Sequence, residues 1–264
     1  MKLEIAINKR QRLLLATILL VIITVIVQII SGIRLDWRGV VVIAVSSYFL
    51  TYFALWEEIK GVEFLTLFIL PVLFSISAIF SYYLFPVRWL TRLIIDFLFG
   101  LLFYSCLLVQ NIFNVAAIRT IQLLRVAKTV SLLLTILTYF LIIVVLFSFH
   151  LEFYIDMLII FVLSFLLSIQ SIWSVKLKEG IGKWEIIYAL GVSILLTELV
   201  AILSFWPLSI FIKGIFITGV FYSLIILVND YFQDSLFSQQ IKEFIILVFS
   251  LVFLICLMGK WGGG

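Results

Sequence analysis

The stretch IYALGVSILLTELVAILSF, residues 187–205, is an apolar run that carries one carboxylate, Glu198, near its centre. An ionisable side chain deep in a membrane costs about 2.5–3.5 kcal/mol on insertion scales, so it faces a bundle interior or a wet cavity. The chemistry it suggests is a proton or cation relay, or a substrate contact; the plainer reading is a neutral acid that glues two helices. Its i±3 and i±4 neighbours are Leu195, Ala201, Ile194 and Ile202, so its own helix supplies no cation. Ser193, Thr197, Ala201 and Ser204 form a small polar stripe beside it that would let another helix approach closely. Asp96 is the second intramembrane acid. Arg92 at i−4 offers it a local partner, while Gly100, Leu107, Gln110 and Asn114 share its helical face. Glu198 and Asp96 are the candidates for transport or proton relay.

The segment NIFNVAAIRTIQLLRVAK, residues 111–128, is richest in polar groups. At helical spacing Asn111, Asn114, Gln122, Arg125 and Lys128 share one broad face with Arg119 at its edge, and Ile112, Ala116, Leu123, Leu124 and Ala127 occupy another. That pattern predicts a basic amphipathic helix on the cytoplasmic side, where those six residues would meet anionic lipid headgroups or a partner helix. At this segment the chain resembles uncharacterised bacterial multi-span membrane proteins. The resemblance covers little more than these residues and implies no activity.

Other chemistry is hard to place. His150 is the single histidine, and with Glu152 and Asp156 it reads as a solvated outer loop rather than a metal site. One histidine excludes a bis-histidine haem and leaves no Ser–His or Cys–His pair. Cys106 and Cys256 sit in apolar runs and read as small buried hydrophobes. EGIGKWE lacks the first glycine and the Ser/Thr after Lys183 that a phosphate-binding loop needs. WEEIK lacks the later Arg and His motifs of CAAX-type membrane proteases, and Lys213 lies close enough to a helix start to snorkel. No catalytic residues, metal or cofactor are expected, and a net charge of +4 asks for no nucleic acid.

The elements that hold these residues follow from composition. The chain is 65% hydrophobic and 12% charged, with mean hydropathy +1.33. So little polar surface cannot cover a water-facing globule, and the runs lack the period-two alternation of a membrane barrel. The reading is an all-α polytopic bundle, a single integral membrane domain over 1–264 that contains the 111–128 amphipathic segment. Nine spans are expected at 13–30, 39–55, 64–84, 93–110, 129–149, 157–174, 186–206, 208–228 and 244–258. The second and last are short, so eight spans plus a re-entrant piece is the alternative. All seven tryptophans fall beside span ends, as headgroup-level indoles do, and Pro71 alone among the prolines lies inside a span. With the N-terminus inside, cytoplasmic segments hold twelve Lys and Arg against six opposite. The expectation is an inner (cytoplasmic) membrane protein with its C-terminus outside and an uncleaved first span.

WEEIKGVEF before the third span and KEGIGKWEI before the seventh suggest a parallel repeat offset by four spans. Short loops leave no room for a soluble catalytic domain between spans. The leading functional expectation is a secondary transporter or channel-like permease for a small solute or ion. The alternatives are a non-catalytic accessory or assembly subunit with a membrane-protein partner, and a lipid-processing or lipid-moving enzyme.

Overall fold

In a computed structural model, residues 8–32, 37–56, 63–82, 84, 89–116, 122–177, 180–235 and 238–258 are described. They form nine helices: α1 (Lys9–Ser31), α2 (Trp37–Leu55), α3 (Glu63–Tyr82), α4 (Trp89–Ala116), α5 (Leu124–Ser148), α6 (Phe153–Lys176), α7 (Lys183–Ser204), α8 (Ile210–Phe232) and α9 (Ser238–Met258). Eight are long and apolar enough to cross a membrane; α3, apolar over Thr66–Tyr82, is the shorter exception. The chain is therefore a multi-pass helical membrane protein, and the expected short spans, α2 and α9, are among the eight.

Local signals set the helix ends. The Asn8 amide donates to Gln11 Oε1 at 2.9 Å and caps α1, and Gly32 closes it with φ 61° and an amide that donates to the Gln28 carbonyl. Leu177 ends α6 in the left-handed region at φ 48°. Helix α3 runs through Pro71, whose carbonyl accepts from Ser47 Oγ at 3.1 Å and Ser75 Oγ at 2.8 Å. Those two hydroxyls are themselves 3.0 Å apart, which ties α2 to α3 at the proline.

The chain divides into two compact units, Met1–Leu134 and Thr135–Gly264, with α5 running across the division. In the first, α1, α2, α3 and α4 pack in succession and α4 returns to α1, closing a four-helix ring. Leu13, Leu20, Ile43, Phe74 and Phe103 fill it. In the second, α6 and α7 share the broadest interface, and α8 packs on α6, α7 and α9. Helix α9 presents Ile245, Phe249, Phe253 and Leu257 outward and buries Ile255 alone among its described residues.

The two units repeat a pattern. The trio α2, α3 and α4, all in mutual contact, has its counterpart four helices later in α6, α7 and α8. The sequence Phe103-Tyr104-Ser105 in α4 recurs as Phe221-Tyr222-Ser223 in α8, and Asn111 and Asn229 follow at the same spacing. Phe103 and Phe221 are both fully buried, and Ser105 and Ser223 both donate to the carbonyl one turn back.

Candidate functional site

Helix α7 puts Glu198 on its outer face. Ala189, Val192, Ser193, Leu196, Val200 and Leu203 are buried, whereas Glu198 is exposed together with Ile194, Leu195 and Ile202. The helix buries its other side mostly against α6, and the small polar stripe turns toward that side rather than toward the acid. Ser193, Thr197 and Ser204 each donate to a carbonyl of their own helix at 2.7–2.8 Å, which satisfies them without a neighbour. Gly191, about two turns before Glu198 on the outward side, has no atom near its would-be Cβ. The observed face is thus apolar, notched by a glycine and marked by one acid. Because α7 ends at Ser204, Glu198 lies about 9 Å from that end, displaced from the helix centre.

Asp96 is placed differently. It is half-buried in the four-helix ring, and its Oδ1 accepts a hydrogen bond from Gln28 Nε2 of α1 at 2.8 Å. Gln28 itself is 2% exposed. Arg92 acts on Asp96 through its charge but lays its guanidinium 5.4 Å from the Tyr82 ring, so the direct partner is Gln28 and not the i−4 arginine. The stripe of polar residues on α1 explains the contact: Thr17 and Thr24 bond back to Leu13 and Leu20, and Gln28 is long enough to reach across.

The polar segment 111–128 falls on two helices where a single amphipathic one was expected. Asn111 and Asn114 complete α4, Gln122 lies in a turn, and Arg125 and Lys128 begin α5; Arg119 lies outside the described residues. The reason is that the polar end of α4 faces inward. Asn114 is fully buried and donates to the Leu55 carbonyl at 3.5 Å, so it fastens α4 to α2 and is closed to headgroups. One turn earlier, Gln110 is fully buried with neither amide atom hydrogen-bonded; the Cys106 thiol, another turn back, is a weak polar neighbour. Gln122 and Arg125 are exposed and Lys128 is half-buried, which leaves those three accessible to lipid or a partner.

The tryptophans mostly keep the expected belt. Trp37, Trp56, Trp89 and Trp184 are 63–76% exposed at helix ends, but Trp173 is buried, packed inside α6 near its C-terminus. Among the described residues no group of three or more His, Cys, Asp or Glu side chains could hold a metal. Cys106 is buried and Cys256 exposed, and neither forms a disulfide.

Sequence reasoning kept Asp156 and Lys213 apart, the first in an outer loop and the second at a snorkelling position. The structure brings them together at one end of the second unit, where both sit near the start of a helix. Their equal depth, each close behind a loop on the same side of the span map, is the signal that would have paired them.

No curated protein and no solved structure matches the chain. A family model described as "Protein of unknown function (DUF5656)" matches residues 54–258.

Proposed function

We propose, from the premise that this chain belongs to the DUF5656 family of unknown function, that it is a non-catalytic assembly subunit of a membrane complex. The observation that carries this reading is the exposed position of Glu198 on an otherwise apolar face of α7. Toward lipid alone, an acid there costs energy with no return; against a neighbouring helix it finds a donor, and Gly191 lets that helix come close. The partner is a different membrane-spanning chain that presents Lys, Arg, Asn or Gln at the same depth. A second copy joined through α7 by a two-fold axis would set Glu198 against Glu198 and offer neither acid a cation or an amide donor. The excess of Lys and Arg supports a cytoplasmic membrane location with the N-terminus inside. Exposed Gln122 and Arg125 add a contact for anionic headgroups at that side.

A photo-crosslinking residue at position 194 or 202, tested in native membranes, is expected to give the same discrete adduct. Glu198→Leu should weaken that association about tenfold, the equivalent of one intramembrane hydrogen bond of 1–2 kcal/mol. Glu198→Cys, with Cys106 and Cys256 replaced, should resist a membrane-impermeant thiol reagent from both sides. Labelling from water, or an adduct indifferent to Glu198→Leu, would sink the proposal.

A second reading, a secondary transporter or channel-like permease for a small solute or ion, draws on the repeated helix trio, because many transporters are built from such repeats. It predicts the opposite labelling result at position 198.

A further inference from the structure

At one end of the second unit the α5–α6 corner and the α7–α8 corner enclose a cleft of about 260 Å³, far above the ~15 Å³ that admits a single water. Its walls carry Asp156, Lys213, His150 and Ser204, with Phe147 and Phe153 among the apolar groups. Asp156, in the first turn of α6, is 6% exposed, and its Oδ1 is buried without a hydrogen-bond partner. Lys213 of α8 is close enough for the two charges to interact. Its ammonium nevertheless lies 5.7 Å from the centre of the Phe147 ring and leaves that carboxylate oxygen free. His150 is held at φ 48°, a left-handed conformation that costs a non-glycine residue energy, and it brings an imidazole to the rim. Ser204 lines the cleft and donates to the Val200 carbonyl, so its hydroxyl oxygen keeps acceptor capacity.

A buried carboxylate oxygen without a donor is expensive, and a cation beside it that does not use it leaves both ready for a ligand. One negative and one positive group a short way apart complement a zwitterion better than a simple anion or cation. The cleft opens where α5, α6, α7 and α8 begin or end, which is headgroup depth. Exposed Phe153 and Phe205, with ring centres 6.2 Å apart, give its mouth an apolar edge on which an acyl chain could rest.

We propose that this cleft binds a zwitterionic group made of a phosphate and a primary ammonium, the chemistry of an ethanolamine phospholipid headgroup and of its water-soluble glycerol-phosphoethanolamine fragment. Lys213 and His150 take the phosphate. Asp156 Oδ1 and Ser204 Oγ accept hydrogen bonds from the ammonium, which a quaternary choline has no N–H to make.

The test is native mass spectrometry of the full chain released from nanodiscs of equal phosphatidylethanolamine, phosphatidylcholine and phosphatidylglycerol. The wild-type chain should retain one ethanolamine lipid about tenfold over either other lipid, as one hydrogen bond to a charged group requires. Asp156→Asn keeps an acceptor oxygen but loses the negative charge, and should lower the preference over choline about threefold or more. Lys213→Met should lower retention of all three lipids; it is the second variant if Asp156→Asn does not fold. Added glycerophosphoethanolamine separates the sources: displacement of the bound lipid assigns recognition to the headgroup alone, and its failure assigns the site to the intact lipid. Equal retention of the three lipids, or a preference unchanged in both variants, would overturn the proposal.

Discussion

Replacing Tyr139 with alanine is expected to destabilise the second unit by about 3 kcal/mol, while phenylalanine at the same position costs only about 0.6 kcal/mol. Tyr139 of α5 is fully buried, stacked on Phe221 of α8 with ring centres 4.0 Å apart and planes 17° apart, and its hydroxyl lies 2.8 Å from Ser164 Oγ of α6. Three helices therefore meet on one ring. Helix association within lipid gains nothing from expelling water, so packing contacts carry most of the energy. Alanine removes the ring and leaves a cavity that close-packed neighbours only partly fill. Phenylalanine keeps the stack and gives up one hydrogen bond, and Ser164 can then turn back to a carbonyl of its own helix. Denaturation of the purified chain in mixed detergent would measure both. The alanine variant should also speed hydrogen exchange in α6 and α8 and leave α1–α3 unchanged. Equal losses for the two variants would place the energy in the hydroxyl and refute the packing account.

The same physics explains what the sequence could disclose. The spans were legible because a membrane demands long apolar runs, and the observed helices coincide with the expected ones to within about four residues, apart from a later end of α4 and earlier starts of α5 and α9. At the end of α4 the Asn114 side chain donates to the Leu55 carbonyl, so that part of a polar face that looked exposed is an internal seam, while Gln122 and Arg125 stay exposed. Which way Glu198 points was not legible. In water the buried face of a helix is the apolar one, but lipid is as apolar as a core, and α7 is apolar on both sides. The partner of Asp96 was equally hidden. Arg92 stands at the right local spacing, whereas Gln28 lies 68 residues away and meets Asp96 only after α1 and α4 pack. Trp173 shows the limit of the aromatic rule: an indole near a span end is buried when its helix is surrounded, as α6 is by α7 and α8.

The pair Gln28 and Asp96 should behave as a coupled unit. Asp96→Leu strands the buried Gln28 amide and is expected to cost about 2 kcal/mol, since an orphaned polar group forfeits its full desolvation. Gln28→Leu should cost less, about 1 kcal/mol, because the half-buried carboxylate still has the charge of Arg92 near it. Removing both partners leaves two apolar side chains facing each other, so the double variant should lie near the wild type, with a coupling energy of about 2–3 kcal/mol. Additive losses would mean the 2.8 Å contact contributes nothing. Asp96→Asn then separates structure from proton chemistry. The amide oxygen can still accept from Gln28 Nε2, so the stability of the first unit should survive while the ionisable group is gone. If Asp96→Asn is as unstable as Asp96→Leu, the negative charge itself holds α1 to α4, and an acid so committed to packing is a poor carrier of protons.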